Sequence, residues 1–458
     1  MNARLESLVS RVNKAFGIGL AEREVEWLAE VFYPPESWTR WLASDSQLIL
    51  GPGGSGRTTL AQQMLAYGNH PHRPMVFLWQ PRLPRPEMTW EEAAKQILQL
   101  GVEALVHRLM AWDWAQGPPP SWVASLMRRL TQDVWEFPLD VFMWQHYPPG
   151  THGHVEAVLE WIRGADASPT LTLSPVEAVQ YIVILARALG YTGVWALFDL
   201  ASEEVGDTLH LLQVISEVLR WFDVKNWSFK WFLPDYMARP LLSSAVVVRR
   251  RMEVGYLCWS QEEVRALVHR RLQWVSEGQW QTVRDVVKDP AFQTWLEGYG
   301  QTHPRAWLTL LHPFALERVR KGRPLHSTEW RAIAQRHPPP LFVELHQQRA
   351  YLGAKPLNLQ PAAWRLLVYL YRHLGQVCSR RELYYRALEG ADDVPRHDRF
   401  PWRSTLDSTL HRLREQLEGE LRQSLALSTT ASLYIQTQRG KGVALQHATK
   451  ALGLRTIL

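Results

Sequence analysis

The sequence predicts a multidomain α/β chain in which a largely parallel sheet with a helical lid is followed by a smaller α+β domain. Three observations predict it. Short apolar runs (SQLIL at 46–50, MVFLW at 75–79, VWALFD at 194–199 and WSFKWFL around 227–233) alternate with helical periodicity, the pattern of strands joined by helices in a parallel sheet. After the run AVVVRRRMEVGYL the periodicity turns helical and stays so to about His337. From about Leu352 the order becomes helix, helix, helix, then a β-hairpin. At 458 residues the chain exceeds a single ordinary core, so several are expected.

Composition sets outer limits. Hydrophobic residues make up 46% and charged residues 21%, the usage of globular domains, so the chain is expected to fold throughout. Lys and Arg number 51 against 45 Asp and Glu, and the net charge of +6 permits attraction to a polyanion without assigning one. Cys258 and Cys378 are the only cysteines, too few for a disulfide framework and outside any zinc-binding pattern; they fit a reducing cytoplasm. The N-terminus lacks the apolar core of a signal peptide, and even YIVILARALGY is interrupted by Arg187, so no membrane span is expected. The 23 tryptophans, Trp161, Trp221 and Trp274 among them, sit at amphipathic positions that suit core packing.

Residues 1–45 read as a helical lead-in, 46–250 as the α/β domain, 251–340 as the helical lid and 346–448 as the C-terminal domain. Within the α/β domain the stretch from Trp90 to about Arg163 reads as mostly helical and carries no assigned chemistry. Pro338, Pro339 and Pro340 form the clearest candidate linker.

The first strand runs into Gly51, Pro52, Gly53, Gly54, Ser55, Gly56, Arg57, Thr58 and Thr59, and a helix follows. Glycines let backbone N–H groups turn inward around phosphate oxygens, and the helix N-terminus adds its partial positive charge. The stretch resembles the P-loop of P-loop NTPases except that Arg57 replaces the lysine, a planar fork in place of a compact point charge. The resemblance implies ATP or ADP with Mg²⁺ as cofactor, Thr58 and Asp199 holding the metal. It also makes FDLASE at 198–203 similar to the second acidic motif of STAND-type NTPases, with Glu203 as the nearest acid able to activate water, and ThrHisProArg at 302–305 similar to the sensor-2 motif of AAA+ and STAND lids, so that Arg305 would reach the terminal phosphate. Whether such a site hydrolyses ATP stays open, since Leu200 follows Asp199 directly.

In the C-terminal domain Pro361 stands at the first position of helix AAWRLLVYLYRHL, which Gly375 ends. Ser379 and Glu382 have capping-box spacing and open a second helix. A third, from about Ser404 to Glu418, buries Leu406, Leu410, Leu413 and Leu417 and turns Ser408, His411, Arg412 and Glu415 outward; Arg414 flanks the buried stripe. SLYIQTQRGKGVALQ at 432–446 reads as a hairpin with its tip at residues 439–442. LQPAAWRLL, GQVCSRREL, LHRLREQL and IQTQRGKGV follow one another in the order of the OmpR/PhoB-type winged-helix family, which they closely resemble; Ala363 and Val443 depart from its usual glutamate and aromatic residue. A helix of this size fits the major groove, so its exposed face with Ser408 is expected to bind DNA, Arg412 and His411 being the candidate base contacts, with Arg439 and Lys441 placed for phosphates or the minor groove.

The expected function is a DNA-binding transcription regulator whose winged helix reads duplex DNA under control of a nucleotide-binding P-loop module, with hydrolysis left open by Arg57 and Leu200. The competing reading is a DNA-acting AAA+-like ATPase of a replication, mobile-element or defence system. Duplex DNA and a nucleotide are the partners, self-association is allowed, and a membrane is not expected.

Overall fold

The computed structural model describes residues 3–17, 25–68, 70–80, 89–135, 138–166, 172–200, 218–244, 251–345, 348–395, 402–427 and 432–449. The chain divides into two compact units, residues 36–52 with 57–257, and residues 1–35 with 53–56 and 258–458. Helices α1 (Ala3–Phe16) and α2 (Val25–Val31) belong to the second.

The first unit is built on a five-stranded parallel sheet. After the short α3 (Trp38–Trp41) come β1 (Gln47–Gly51), α4 (Arg57–Tyr67) and β2 (Met75–Trp79). Five helices follow: α5 (Trp90–Met110), α6 (Ser121–Val134), α7 (Leu139–His146), α8 (His152–Arg163) and α9 (Pro175–Ala188). Then come β3 (Val194–Asp199), β4 (Trp227–Pro234), α10 (Ala238–Ser244) and β5 (Glu253–Tyr256). The spatial order is β2-β3-β4-β1-β5, so the strand that feeds the glycine loop lies between two parallel neighbours. Strands β1, β3 and β4 are buried along their whole length, which is why they read as largely apolar runs, with Gln47, Asp199, Ser228 and Lys230 their buried polar residues. Thr89 and Ser174 start α5 and α9 with complete capping boxes closed by Glu92 and Glu177.

Ser228 and Lys230 interrupt the apolar run of β4, and Lys230 is the charged one. Lys230 is fully buried, and its ammonium donates to the carbonyls of Ala43 (2.5 Å) and Asp45 (2.7 Å) and to Gln47 Oε1 (2.9 Å) while lying 4.8 Å from the Trp195 ring centre. Burial pushes its pKa down to about 7. All three donors are matched, so Lys230 ties the approach to β1 onto β4 and thereby fixes where the glycine loop begins.

The second unit has one continuous core drawn from both its helices and its C-terminal domain. It resumes with α11 (Gln261–Val275), α12 (Pro290–Gly300), α13 (Pro304–Lys321) and α14 (Ser327–Arg336). Pro338 and Pro339 are buried and Pro339 accepts a hydrogen bond from the Tyr434 hydroxyl (2.5 Å). The three prolines are therefore a packed connection, which corrects their reading as a linker. Proline's fixed φ and missing N–H serve a rigid junction as readily as an extended spacer.

Strands β6 (Leu341–Glu344), β7 (Arg349–Leu352) and β8 (Lys355–Leu357) form an antiparallel meander that β11 (Ala448–Thr449) joins beside β6. Next come α15 (Pro361–Arg372) and α16 (Arg380–Glu382), the latter continuing as a π-helix over Leu383–Leu388. Ser379 caps α16 through the Glu382 N–H, but the Glu382 carboxylate accepts from the Tyr369 hydroxyl (2.6 Å). Half of the expected capping box is thus replaced by a tie to α15. The third helix of the domain, α17, spans Trp402–Leu425, seven residues beyond its expected end at Glu418. The hairpin β9 (Ile435–Gln438) and β10 (Gly442–Leu445) closes the domain at the expected place.

Candidate nucleic-acid interface and phosphate loop

Along α17, Leu406, Leu410, Leu413 and Leu417 are buried while Ser408, His411, Arg412 and Glu415 lie on the opposite, more solvent-accessible side, as helical spacing requires. Arg439 and Lys441 are exposed at the hairpin tip, where Gly440 has φ of 76°. At the base of the hairpin a Cβ on Gly442 would lie 2.1 Å from the Cys378 carbonyl oxygen, and the backbones of Cys378 and Val443 exchange two hydrogen bonds of 2.9 Å. Only glycine permits that approach, which pins the wing to the turn before α16.

Two side chains hold helix and wing in register. Arg414, which flanks the buried stripe, donates to Thr437 Oγ1 (2.6 Å) and to the Ile435 carbonyl (3.4 Å) and so attaches the helix to the strand. Glu418 was missed in the sequence. Its fully buried carboxylate accepts from the N–H groups of Leu433 (3.1 Å), Tyr434 (2.8 Å) and Ile435 (3.3 Å) and from Arg422 Nη2 (2.6 Å). Arg380, the first residue of α16, pairs with Asp407 of α17 and so places a further cation beside that helix. Residues 301–458 carry 24 Lys and Arg against 12 Asp and Glu, so the basic excess of the chain is concentrated in the part that bears this helix.

The glycine loop leaves β1 at Gly51, which is level with Pro234 of β4, while Asp199 on the other side of β4 is level with Phe232. In the first unit Arg57 is buried, with its guanidinium on the Leu200 carbonyl (3.4 Å) and beside Asp199. Asp199 is also buried; Gln80 donates to its Oδ2 (3.0 Å) and Oδ1 has no partner among the described residues. Burial raises its pKa, an effect opposed by Arg57, Gln80 and Thr58. Thr59 lies in the first turn of α4. Glu203 and Ser202 lie outside the described residues, so the second half of FDLASE has no structural account.

In the second unit, Gly53, Gly54, Ser55 and Gly56 pack with the helices. Gly54 and Gly56 have φ of 77° and 95°, and a Cβ on Gly54 would meet His303 Cε1 at 2.8 Å and Arg305 Cβ at 3.0 Å. Arg305 therefore lies against the loop. His303, absent from the sequence-based site, opens α13: its Nδ1 accepts from the Ala306 N–H (3.2 Å), which fixes the tautomer so that Nε2–H donates to the Gly53 carbonyl (2.6 Å). Trp259 Nε1 donates to the Ser55 carbonyl (2.8 Å), and Ser55 Oγ is buried without a partner among the described residues. In the second unit the glycines that crowd the loop against His303 and Arg305, with Ser55 Oγ unpartnered among the described residues, suit a phosphate; in the first unit the Asp199 oxygen unpartnered among the described residues suits a cation.

Desolvation pushes the His303 pKa down to about 4 and lowers those of His269, His312, His337 and His447, all in the second unit. Each folded-state pKa lies below the unfolded value, so the associated stability is present above about pH 6.5 and is lost as pH falls through the folded-state values. Thermal denaturation is expected to show a falling melting temperature from pH 7 to 4.5, and His303→Gln is expected to lose less over that range than the native protein. Equal pH slopes would contradict the assignment.

Among the described residues, no helix is long and apolar enough to cross a membrane and no cluster of three or more His, Cys, Asp or Glu could hold a metal ion by itself. No protein of curated function matches the chain. The DNA-binding domain of RstA from Klebsiella pneumoniae, solved in complex with the RstA box, is 24% identical over 23% of this chain and 89% of that one, with a TM-score of 0.17. The DNA-binding domain of CpxR from E. coli is 24% identical over 25% and 94%, with a TM-score of 0.18. The ORC2 protein of Aeropyrum pernix, solved in ADPNP and ADP complexes, is 13% identical over 95% of this chain and 90% of that one, with a TM-score of 0.35. Residues 354–445 match the family described as transcriptional regulatory protein, C terminal, and this part of the chain is a winged-helix domain of that OmpR/PhoB type.

Proposed function

We propose that the chain is a DNA-binding transcription regulator in which the winged helix reads duplex DNA and a nucleotide held at the glycine loop adjusts that binding. The observation that carries the reading is the outward face of Ser408, His411 and Arg412 beside the wing cations Arg439 and Lys441, on a scaffold held by Arg414 and Glu418. Arg412 and His411 supply donors suited to base edges, Arg above all to guanine, and the wing cations supply sequence-independent attraction to phosphate.

When bound, ATP or ADP with Mg²⁺ would bring phosphate charge to the loop. In the second unit the backbone N–H groups of residues 53–56 would hold it, with Arg305 against that loop, and in the first unit Thr58 and Asp199 would hold the cation. Control of DNA binding is supported by the single core of the second unit, which contains the lid helices and the winged helix. The Tyr299 carbonyl at the end of α12 accepts from the Ala354 N–H (2.7 Å) in the β7–β8 turn, four residues before His303 takes hold of Gly53. A ligand shifts the equilibrium only if it binds the two states differently, and this corner is in contact with both the loop and the reader.

Selection from random duplexes with and without nucleotide tests the reading. A preferred site is expected, and nucleotide is expected to change the affinity for it. Arg412→Ala should weaken the preferred site by about 1–3 kcal/mol and relax one position, whereas Lys441→Ala should weaken all sequences alike and reduce the salt slope by about one. No affinity of the native chain for any duplex at low salt would refute the reading. The unpartnered Asp199 oxygen beside Thr58 favours a second reading, a DNA-acting ATPase; DNA-stimulated turnover abolished by Asp199→Ala would select it.

A further inference from the structure

Resting on the phosphate-loop reading, we infer that His303 and Trp259 are positioning residues that set the loop's N–H groups for a polyphosphate, so that the binding geometry is imposed by the lid and is not intrinsic to the loop. In a trans peptide the C=O and the following N–H point in opposite directions. His303 Nε2–H holds the Gly53 carbonyl at 2.6 Å, which turns the Gly54 N–H away from the histidine. Trp259 Nε1–H holds the Ser55 carbonyl at 2.8 Å and turns the Gly56 N–H away from the indole. The two fixed peptides alternate along the loop, and both N–H groups they aim belong to glycines at positive φ.

Neither aimed N–H is taken by another group among the described residues. Ser55 Oγ, buried and unpartnered among them, lies between the two in the chain. Two N–H donors and a hydroxyl turned away from their anchors suit the oxygens of a diphosphate or triphosphate, and a succession of N–H groups of this kind is an anion nest. His303 does this as a neutral donor, because its other ring nitrogen is committed to the first turn of α13. Trp259 has only a donor to give, so its carbonyl partner is also fixed.

The full chain, native and as Trp259→Phe, His303→Ala and His303→Gln, is titrated with ADP, inorganic pyrophosphate and adenosine by calorimetry, with duplex binding in the absence of nucleotide as a control. Each of the first two changes removes one fixing hydrogen bond and is expected to weaken ADP and pyrophosphate by about five- to tenfold, leaving duplex affinity unchanged. His303→Gln keeps an N–H donor and is expected to recover most of the loss. A purely structural role would lower the melting temperature without that rescue and without confining the loss to the phosphate ligands. If the native chain binds ADP and pyrophosphate and both Trp259→Phe and His303→Ala bind them equally well, the positioning role is overturned while the nucleotide reading stands. If the native chain binds neither, both fall.

Discussion

Glu418→Ala is expected to destabilise the winged-helix region by about 3–5 kcal/mol, a large share of the stability of an ordinary domain. The carboxylate is fully buried in α17 and accepts three consecutive N–H groups as the chain enters the hairpin. Removing it leaves those donors without an acceptor, and an unsatisfied buried group costs about 1–3 kcal/mol. Arg422 keeps its contact with Glu415 (3.1 Å), so the loss falls on the strand entry. Glu418→Gln retains an acceptor oxygen and should cost about half as much. Chemical denaturation monitored by tryptophan fluorescence measures both. Equal destabilisation by Glu418→Ala and Glu418→Gln would mean that the charge contact with Arg422 outweighs the three N–H bonds, contrary to the role assigned to them. The functional consequence follows from position: the same three bonds set where β9 starts relative to α17, and so where Arg439 and Lys441 stand relative to His411 and Arg412. Duplex affinity is expected to fall for all sequences, since the wing loses its register, in contrast to the site-specific loss from Arg412→Ala.

Local chemistry made most of the architecture legible. Doubly buried strands announce themselves as apolar runs, glycine-rich turns as P-loops or wings, and Pro361 at a first helical position as a helix start. What stayed hidden depends on partners distant in sequence. Glu418 sits on a helix where a glutamate ordinarily faces water; its burial is caused by N–H groups 15–17 residues later. His303 belongs to a motif read for its arginine, yet its ring nitrogens are fixed by Ala306 nearby and by Gly53, 250 residues away. Lys230 interrupts β4 without exposing it because three acceptors, 183 to 187 residues earlier in the chain, surround its ammonium. The prolines at 338–340 look alike in a spacer and in a buried joint; the Tyr434 hydroxyl decides between the two. The Arg57 side chain shows the limit in the other direction. Its type and place in the loop were plain, but its turn toward Leu200 and Asp199 was not, since that depends on where β3 ends.

Gly353→Ala is expected to destabilise the second unit by about 2–4 kcal/mol and to separate the DNA reader from the lid. Two costs combine. Gly353 has φ of 59°, which costs a residue with a Cβ about 1–2 kcal/mol. The added Cβ would also lie 2.5 Å from the Tyr299 carbonyl oxygen, a backbone atom held by the end of α12. That wall is not the flexible end of a side chain, so the β7–β8 turn must withdraw, and the adjacent bond from Ala354 N–H to Tyr299 O (2.7 Å) is lost with it. The withdrawal leaves the outward face of α17 and the wing tip untouched, since the Arg414 and Glu418 ties are internal to the winged-helix region. Duplex affinity without nucleotide should therefore stay within about twofold of the native value, while any change in affinity caused by nucleotide should shrink toward none. Equilibrium unfolding gives the first quantity and duplex titrations with and without ADP give the second. A Gly353→Ala chain that keeps the full nucleotide response despite its lower stability would mean that coupling bypasses this turn, and the lid would then have to act on the reader through the remainder of their shared core.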